Sequence, residues 1–452
     1  MKSLKQIKFS EILSWDVKHF LQNNDIFSKK IPLVLFREFI SKPSINKISI
    51  NDSETYKILG VRSYGKGTYI NREIKGDTLK MRMYQQVGSN HLFWCKVDTK
   101  NGAFGIIDDE LANGVASTNM TFAKIDTKIA NTEYVQLLFR SKKINEYMDA
   151  YVTGTTNRKY IRPDQLFNEI KIPFPDLTTQ VEIVDAYNEK IKLAQEQEQK
   201  ASKLENGIDI YLFEKLGIDK KAKRIKTIGL NIIDFKNLDI WGADKLLNGG
   251  LGEILKSKYF ENKKLNTLVL VNPRTDLSNI DSDDSMSFIP MKNVSDNYGE
   301  VLLKNKGLKS NSGGYTKFKD GDLIWARITP CMQNGKSAIV SELNNGLGYG
   351  STEYHVLRKK EDNFLIEYLY HLLRTKDVRD DAVNHFTGSA GQQRVPKAYL
   401  ENLLVPVPPL EIQKEIIETI NEIKVEIKEL NFQARRNREQ AIQEFENKIF
   451  KS

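Results

Sequence analysis

Residues 405–423 read VPVPPLEIQKEIIETINEI: three prolines stand immediately before a Glu/Lys-rich run studded with isoleucine. Residues 172–190, IPFPDLTTQVEIVDAYNEK, make the same arrangement, with Pro173 lying 233 positions before Pro406. Proline fixes φ, lacks an N–H and disfavours helix at the residue before it. Each Pro-x-Pro therefore predicts an extended strap, after which a helix can begin. Glu411 and Glu415 suit the N-terminus of such a helix. Apolar residues then fall at Ile416, Ile420, Ile423, Ile427 and Leu430, spaced 4, 3, 4, 3, the seam of a coiled coil. The earlier copy offers Val184, Tyr187, Ile191, Ala194, Glu198 and Ala201, with Ile208 and Leu212 beyond. Its seam is poorer, which predicts pairing with the richer helix rather than with itself.

Further anchors extend the repeat in order. Pro175, Leu177, Gln180 and Ile183 fall on Pro408, Leu410, Gln413 and Ile416. Thr153-Gly154 falls on Thr387-Gly388, LFWCKV (92–97) on LIWARI (323–328), and FSEILSWDVKHFL (9–21) on FKNLDIWGADKLL (235–247). Ordered anchors argue for duplication of a unit of roughly 200 residues, since internal repeats decide a fold before any local reading does. Each unit combines short apolar alternations, read as strands, with helix-like stretches. The fold class is α/β (α+β), with two globular units in tandem.

At 452 residues the chain is too long for one ordinary core. The net charge of +9 favours an acidic partner, nucleic acid before an anionic membrane. No run of about 18 apolar residues is present to span a bilayer. The N-terminal MKSLKQIKFSEILSWDVKHF has no apolar core of a signal peptide, so a cytoplasmic location is expected. Cys95 and Cys331, the only cysteines, form no zinc-finger pattern. The positive excess is local: residues 57–100 carry nine Lys/Arg against three Asp/Glu, and residues 286–336 carry eight against four. The C-terminal helix is nearly balanced, a solvated face rather than a DNA-binding one.

Catalytic patterns fail on inspection. PDQLFNEIK (163–171) has the carboxylates and lysine of a metal-dependent nuclease, but its spacing is tight and PKAYLENLL in the second copy lacks the acids. Asp164 is expected instead as a helix N-cap. Asn334-Gly335-Lys336-Ser337 lacks the preceding glycine of a phosphate loop, Pro330 standing in its place, and is expected as a turn between strands. Asn272-Pro273 is followed by Arg274, not by the residues an amino-methyltransferase uses. His19, His91, His355, His371 and His385 have no metal-ligand spacing. No catalytic or metal-binding residue is expected in this chain.

DNA binding requires cations for phosphates and planar or polar groups for base edges. In the first unit the candidates are Arg62, Lys66, Tyr69, Arg72, Lys80 and Arg82, and in the second Lys292, Asn293, Lys306, Lys309, Arg327, Gln333, Asn334 and Lys336. The loops TGTTNRKY (153–160) and TGSAGQQR (387–394) add Asn157, Arg158, Lys159, Gln392, Gln393 and Arg394. Trp94 and Trp325 sit in apolar alternations and are expected in the core.

The duplicated unit, the Thr-Gly loop running into VPVPPLEIQKEI and the terminal helices together resemble the specificity (S) subunit of type I restriction–modification systems, over essentially the whole chain. The first copy departs from the pattern: Asp176-Leu177-Thr178-Thr179 replaces Pro409-Leu410-Glu411-Ile412, and TGTTNRKY lacks the glutamines of TGSAGQQR. The resemblance implies target-recognition domains at 1–180 and 217–410, a central spacer helix at 181–216 and a C-terminal spacer helix at 411–452. The spacers would pair antiparallel through Ile191, Ile416, Ile420, Ile423, Ile427 and Leu430. Each domain would read one half of a split sequence in double-stranded DNA. A helix of about 34 residues, about 50 Å long, would set their distance. The implied partners are two methyltransferase (M) subunits and motor-nuclease (R) subunits, with no membrane. S-adenosylmethionine, ATP and Mg²⁺ would belong to those partners, with no cofactor in this chain. Other readings of the same features are the recognition part of a methyltransferase-only or single-protein modification system, or a coiled-coil protein adaptor.

Overall fold

The computed structural model describes residues 26–43, 45–95, 99, 102–149, 151, 161–219, 253–389 and 391–451. The paired segments at 9–21 and 235–247 lie outside the described residues, as do Thr153 and Gly154. The described chain forms two compact units, one from the N-terminal region through Gln197 together with Phe432 onward, the other Glu198–Asn431. Each unit takes turns from both long helices, Leu177–Leu216 and Leu410–Ile449.

In the first unit a four-stranded sheet runs in the order β2 (Ile40–Ser41), β10 (Met120–Ile125), β7 (His91–Cys95), β8 (Phe104–Ile107). A five-stranded sheet runs β3 (Asn46–Ser49), β6 (Met83–Gln86), β9 (Val115–Ala116), β4 (Thr55–Val61), β5 (Thr68–Lys75). Helices α1 (Thr132–Arg140), α2 (Lys142–Asp149) and α3 (Pro163–Asn168) follow. A two-stranded pair, β1 (Leu33–Leu35) with β11 (Lys171–Pro173), carries the strap into α4 (Leu177–Leu216).

The second unit repeats this plan. Its sheets run β13 (Val269–Val271), β20 (Tyr354–Lys359), β17 (Leu323–Ala326), β18 (Ser337–Ile339), and β15 (Asn305–Leu308), β14 (Ser285–Ile289), β19 (Leu347–Gly350), β16 (Thr316–Lys319). The short α5 (Leu265–Leu268) precedes β13, and α6 (Ile366–Arg374), α7 (Lys376–Asn384) and α8 (Lys397–Asn402) follow the sheets. The pair β12 (Asn262–Lys264) with β21 (Leu404–Pro406) leads into α9 (Leu410–Ile449). Trp94 and Trp325, each 1% exposed, occupy the two cores as their alternation predicts.

The strap is fastened identically in both units. Gln180, fully buried, donates from Nε2 to the carbonyls of Pro175 (2.8 Å) and Ile129 (3.1 Å) and accepts the Asn131 N–H at 2.8 Å. Gln413, also fully buried, donates to Pro408 and Asn363 (both 2.9 Å) and accepts the Leu365 N–H at 2.9 Å. The Tyr134 hydroxyl donates to the Pro173 carbonyl at 2.8 Å, and the Tyr368 hydroxyl to that of Pro406 at 3.1 Å. A prolyl strap has carbonyls but few N–H groups, so side chains must satisfy it where it is buried. The helix ends are equivalent too: Ile218 bridges Ser257, and Phe450 bridges Phe27.

Both long helices run 40 residues, about 60 Å at 1.5 Å per residue. In the first unit Lys190 pairs with Glu444 at 3.3 Å, while Gln197 accepts from Asn437 and donates to Gln433, both at 3.0 Å. In the second, Lys200 pairs with Glu426 at 2.7 Å and Lys215 with Glu415 at 2.6 Å. Partners ascend in one helix as they descend in the other, so α4 and α9 pack antiparallel within each unit. Their ends enter the cores: Ile183, Val184, Phe445 and Ile449 in the first, Leu212, Leu216, Ile416 and Ile420 in the second.

The heptad reading is sharpened in detail. Ile416, Ile420 and Ile427 are buried, whereas Ile423, Leu430 and Ile191 are only partly so. Ala194, Ala201, Ala434 and Ala441 are buried, and small residues there let the helix backbones approach closely. Glu198, expected in the seam, is exposed. Gln197 takes the inward position, because its amide can be satisfied across the helices by Gln433 and Asn437, whereas a buried carboxylate could not.

Candidate nucleic-acid interface

In the first unit the basic residues gather on the hairpin of β4 and β5. Arg62 follows β4, and its guanidinium lies 4.6 Å from the centre of the Tyr69 ring on β5. Lys66 is exposed in the turn and Arg72 is exposed on β5. The turn is held rigidly: the Gly65 carbonyl accepts from Gln136 Nε2 at 2.7 Å, and its N–H donates to the Gly102 carbonyl at 2.8 Å. Gly65 has φ +60°, and a Cβ there would sit 2.4 Å from the Phe139 carbonyl carbon, so only glycine fits. Lys80 is exposed beyond this hairpin. Arg82 is not free, since it pairs with Asp52 at 2.5 Å on the surface. Asn157, Arg158 and Lys159 lie outside the described residues.

In the second unit the structure sorts the candidates more strongly. Asn293 is buried and donates to the Leu303 carbonyl at 3.0 Å. The Lys309 ammonium donates to the carbonyls of Leu277 and Ile280, and that of Lys336 to Val294 at 2.6 Å. The two lysines serve the fold, because an ammonium ringed by carbonyls holds loops together and has few N–H groups left for a phosphate; the buried Asn293 amide likewise ties its loop to Leu303. Gln333 is hydrogen-bonded by the Thr329 hydroxyl. Lys292, Lys306, Asn334 and Gln392 remain exposed, and Gln393 is half-buried.

Gln393 and Val395, at the end of the loop 387–394, dock onto the extension of β17. Thr329 donates its N–H to the Gln393 carbonyl at 3.0 Å, and the Val395 N–H donates to the Arg327 carbonyl at 2.8 Å. This brings Arg394 to Glu353, to which it donates from Nε (2.9 Å) and Nη2 (2.8 Å); Arg327 donates to the same carboxylate from Nε at 3.2 Å. Hydrogen bonds from Arg394, and then Arg327, hold the Glu353 carboxyl below its ordinary range. His355, fully buried, donates from Nε2 to the Val395 carbonyl at 2.9 Å and accepts at Nδ1 from the Asn272 amide at 3.0 Å. Burial lowers its pKa to about 4, so it is a neutral tie between loop and sheet. Arg358 clamps the buried Asp322 through two hydrogen bonds of 2.8 and 2.7 Å and reaches Thr275 at 2.9 Å.

These ties frame a cleft of about 690 Å³ whose walls include Arg274, Thr275, Lys317, Arg327, Thr352 and Tyr354. Among the described residues the buried Tyr354 hydroxyl has no hydrogen-bond partner. Arg274, Glu353 and Tyr354 escape sequence reading: none belongs to a periodic pattern, and an acid between two arginines is visible only once distant segments meet.

The patterns that suggested catalysis serve other ends. Asp164 sits in the first turn of α3 behind Pro163 and pairs with Lys42 at 3.0 Å; Arg162, not Asp164, is the N-cap residue, because Pro163 occupies the first helical position. Asn334, Gly335 and Lys336 lie in the connection from β17 to β18, as expected of a turn, and Ser337 opens β18. Among the described residues no group of three or more His, Cys, Asp or Glu could hold a metal ion, and no helix is long and apolar enough to cross a membrane.

Residues 257–433 match the family described as type I restriction modification DNA specificity domain. Among curated proteins, the type I restriction enzyme EcoAI specificity subunit of Escherichia coli is 40% identical over 154 residues, which cover 34% of this chain and 26% of that protein. The EcoEI specificity subunit of the same species is 33% identical over 160 residues, 35% of this chain and 27% of that protein. These matches therefore span only 26% and 27% of the relatives' own length. A solved chain described as "Structural basis underlying complex assembly and conformational transition of the type I R-M system" superposes with a TM-score of 0.57, covering 93% of this chain and 97% of its own. At 14% identity it is similar in fold.

Proposed function

We propose, on the premise that residues 257–433 belong to the type I restriction modification DNA specificity family, that the chain is a DNA-recognition subunit directing methyltransferase and restriction subunits to a bipartite target. Each unit reads one half-site, and the antiparallel α4 and α9 fix the spacing. The observation that carries this reading is the recurrence of one strap lock, at Gln180 and Gln413, beneath two unlike basic surfaces. A common frame with divergent readers suits an asymmetric split sequence.

The chain itself is non-catalytic and works in the cytoplasm. S-adenosylmethionine, ATP and Mg²⁺ act in its partners, two M subunits and the R subunits. Methylome sequencing of the host with and without the gene tests the proposal. Loss of methylation at one split motif is expected. Unchanged methylation, with DNA affinity insensitive to salt between 50 and 200 mM, would favour a protein adaptor, because phosphate contacts make affinity fall by roughly 10³–10⁵ over that range.

A further inference from the structure

We infer that Arg327 is the side chain with which the second unit reads a guanine edge, and that Arg394 and Glu353 act as its positioning residues. The inference rests on the DNA-recognition reading above and names a residue within that site.

The two arginines meet one carboxylate but are used differently. Arg394 commits all three guanidinium nitrogens: Nε and Nη2 to Glu353, and Nη1 to the Gln392 carbonyl at 2.7 Å. Arg327 commits only Nε, at 3.2 Å, and among the described residues its two terminal nitrogens have no partner. Its side chain is 33% exposed and its backbone is clamped between the Glu353 carbonyl and the Val395 N–H, at 3.0 and 2.8 Å. A planar donor fork is therefore held in orientation with its outer edge open. Arg327 is also a wall of the 690 Å³ cleft, in which the buried Tyr354 hydroxyl lacks a partner among the described residues.

A fixed guanidinium fork matches the O6 and N7 acceptors of guanine in the major groove. A phosphate is the poorer ligand here, since the Glu353 carboxylate beside the fork repels an anion while leaving a neutral base edge unopposed. The exposed Arg274 across the same cleft makes no side-chain hydrogen bond to an acid among the described residues and suits the backbone instead.

The test uses the chain assembled with its modification partners, acting on a library of targets randomised at each position of the second half-site. In Arg327→Lys, which keeps the charge and loses the fork, discrimination at one guanine position is expected to fall roughly 5- to 150-fold, the range for a bidentate base contact. The first half-site should stay unchanged. Glu353→Gln is expected to relax the same position more weakly, with the thermal unfolding of the complex monitored to separate misfolding from misreading. A motif unchanged at every position, whether or not the rate falls, would overturn the inference. If, in addition, Arg327→Ala lowers the salt slope of binding by about one charge, Arg327 is a phosphate clamp. Absence of any split motif for the unaltered chain would instead refute the functional reading, a separate result.

Discussion

The two units share a skeleton and differ in what they hang on it. Buried amides, tyrosine hydroxyls and strap strands recur at matched positions, down to the same carbonyl acceptors. The cationic surfaces do not correspond. The first unit displays Arg62 and Tyr69 on a hairpin braced by Gly65, whereas the second builds an arginine pair around Glu353 from segments far apart in sequence. The lesson is that the joint between globular unit and helix tolerates little change, because every polar group of a buried prolyl strap must be satisfied. A solvated reading surface carries no such constraint.

Four outcomes would break or sharpen this comparison. The largest effect is expected at α9. Ile420→Asp places a charge at a fully buried site and should cost about 4 kcal/mol in urea unfolding, while Ile423→Asp, partly exposed, should cost about 1 kcal/mol or less. Equal costs would mean that the bare heptad governs, rather than the core of the second unit. Next, Gln180→Ala and Gln413→Ala each strand two carbonyls and one N–H, so each should lose about 3 kcal/mol. A cost confined to one of them would sink the equivalence of the two locks.

Acid distinguishes the units. His355 is neutral when folded, with a pKa of about 4 against an ordinary 6.5. The unfolded chain therefore binds more protons between these values, and stability contributed by His355 is present above pH 6.5 and is lost as the pH falls toward 4, by up to about 3 kcal/mol. Burial holds His371 down as well, adding to the loss. Hydrogen exchange across this window should reveal the second unit opening before the first, and His355→Gln should flatten part of the slope. The smallest effect is expected at the helix starts. Asp176 caps α4 by accepting from the Thr179 N–H at 3.0 Å, so Asp176→Ala should slightly raise fraying measured by exchange of the first turn. At Pro409 the second unit has no such side chain to lose.

Sequence alone determined the duplication, the straps, a long helix after each strap and the burial of Trp94 and Trp325, because proline stereochemistry and apolar periodicity are local properties of the chain; it did not place the start of α4, which lies at Leu177 rather than 181. It also located the basic segment of the first unit at residues 57–100, though not its folding into the β4–β5 hairpin. Only the tertiary structure decided that Gln197 rather than Glu198 faces inward, that the helix ends belong to the globular cores, and that Lys309 and Lys336 hold loops. It alone separated Arg327 from Arg394, which look equivalent as residues in basic segments. The difference between them is set by Glu353, and a contact between distant segments leaves no period or motif in the sequence that specifies it.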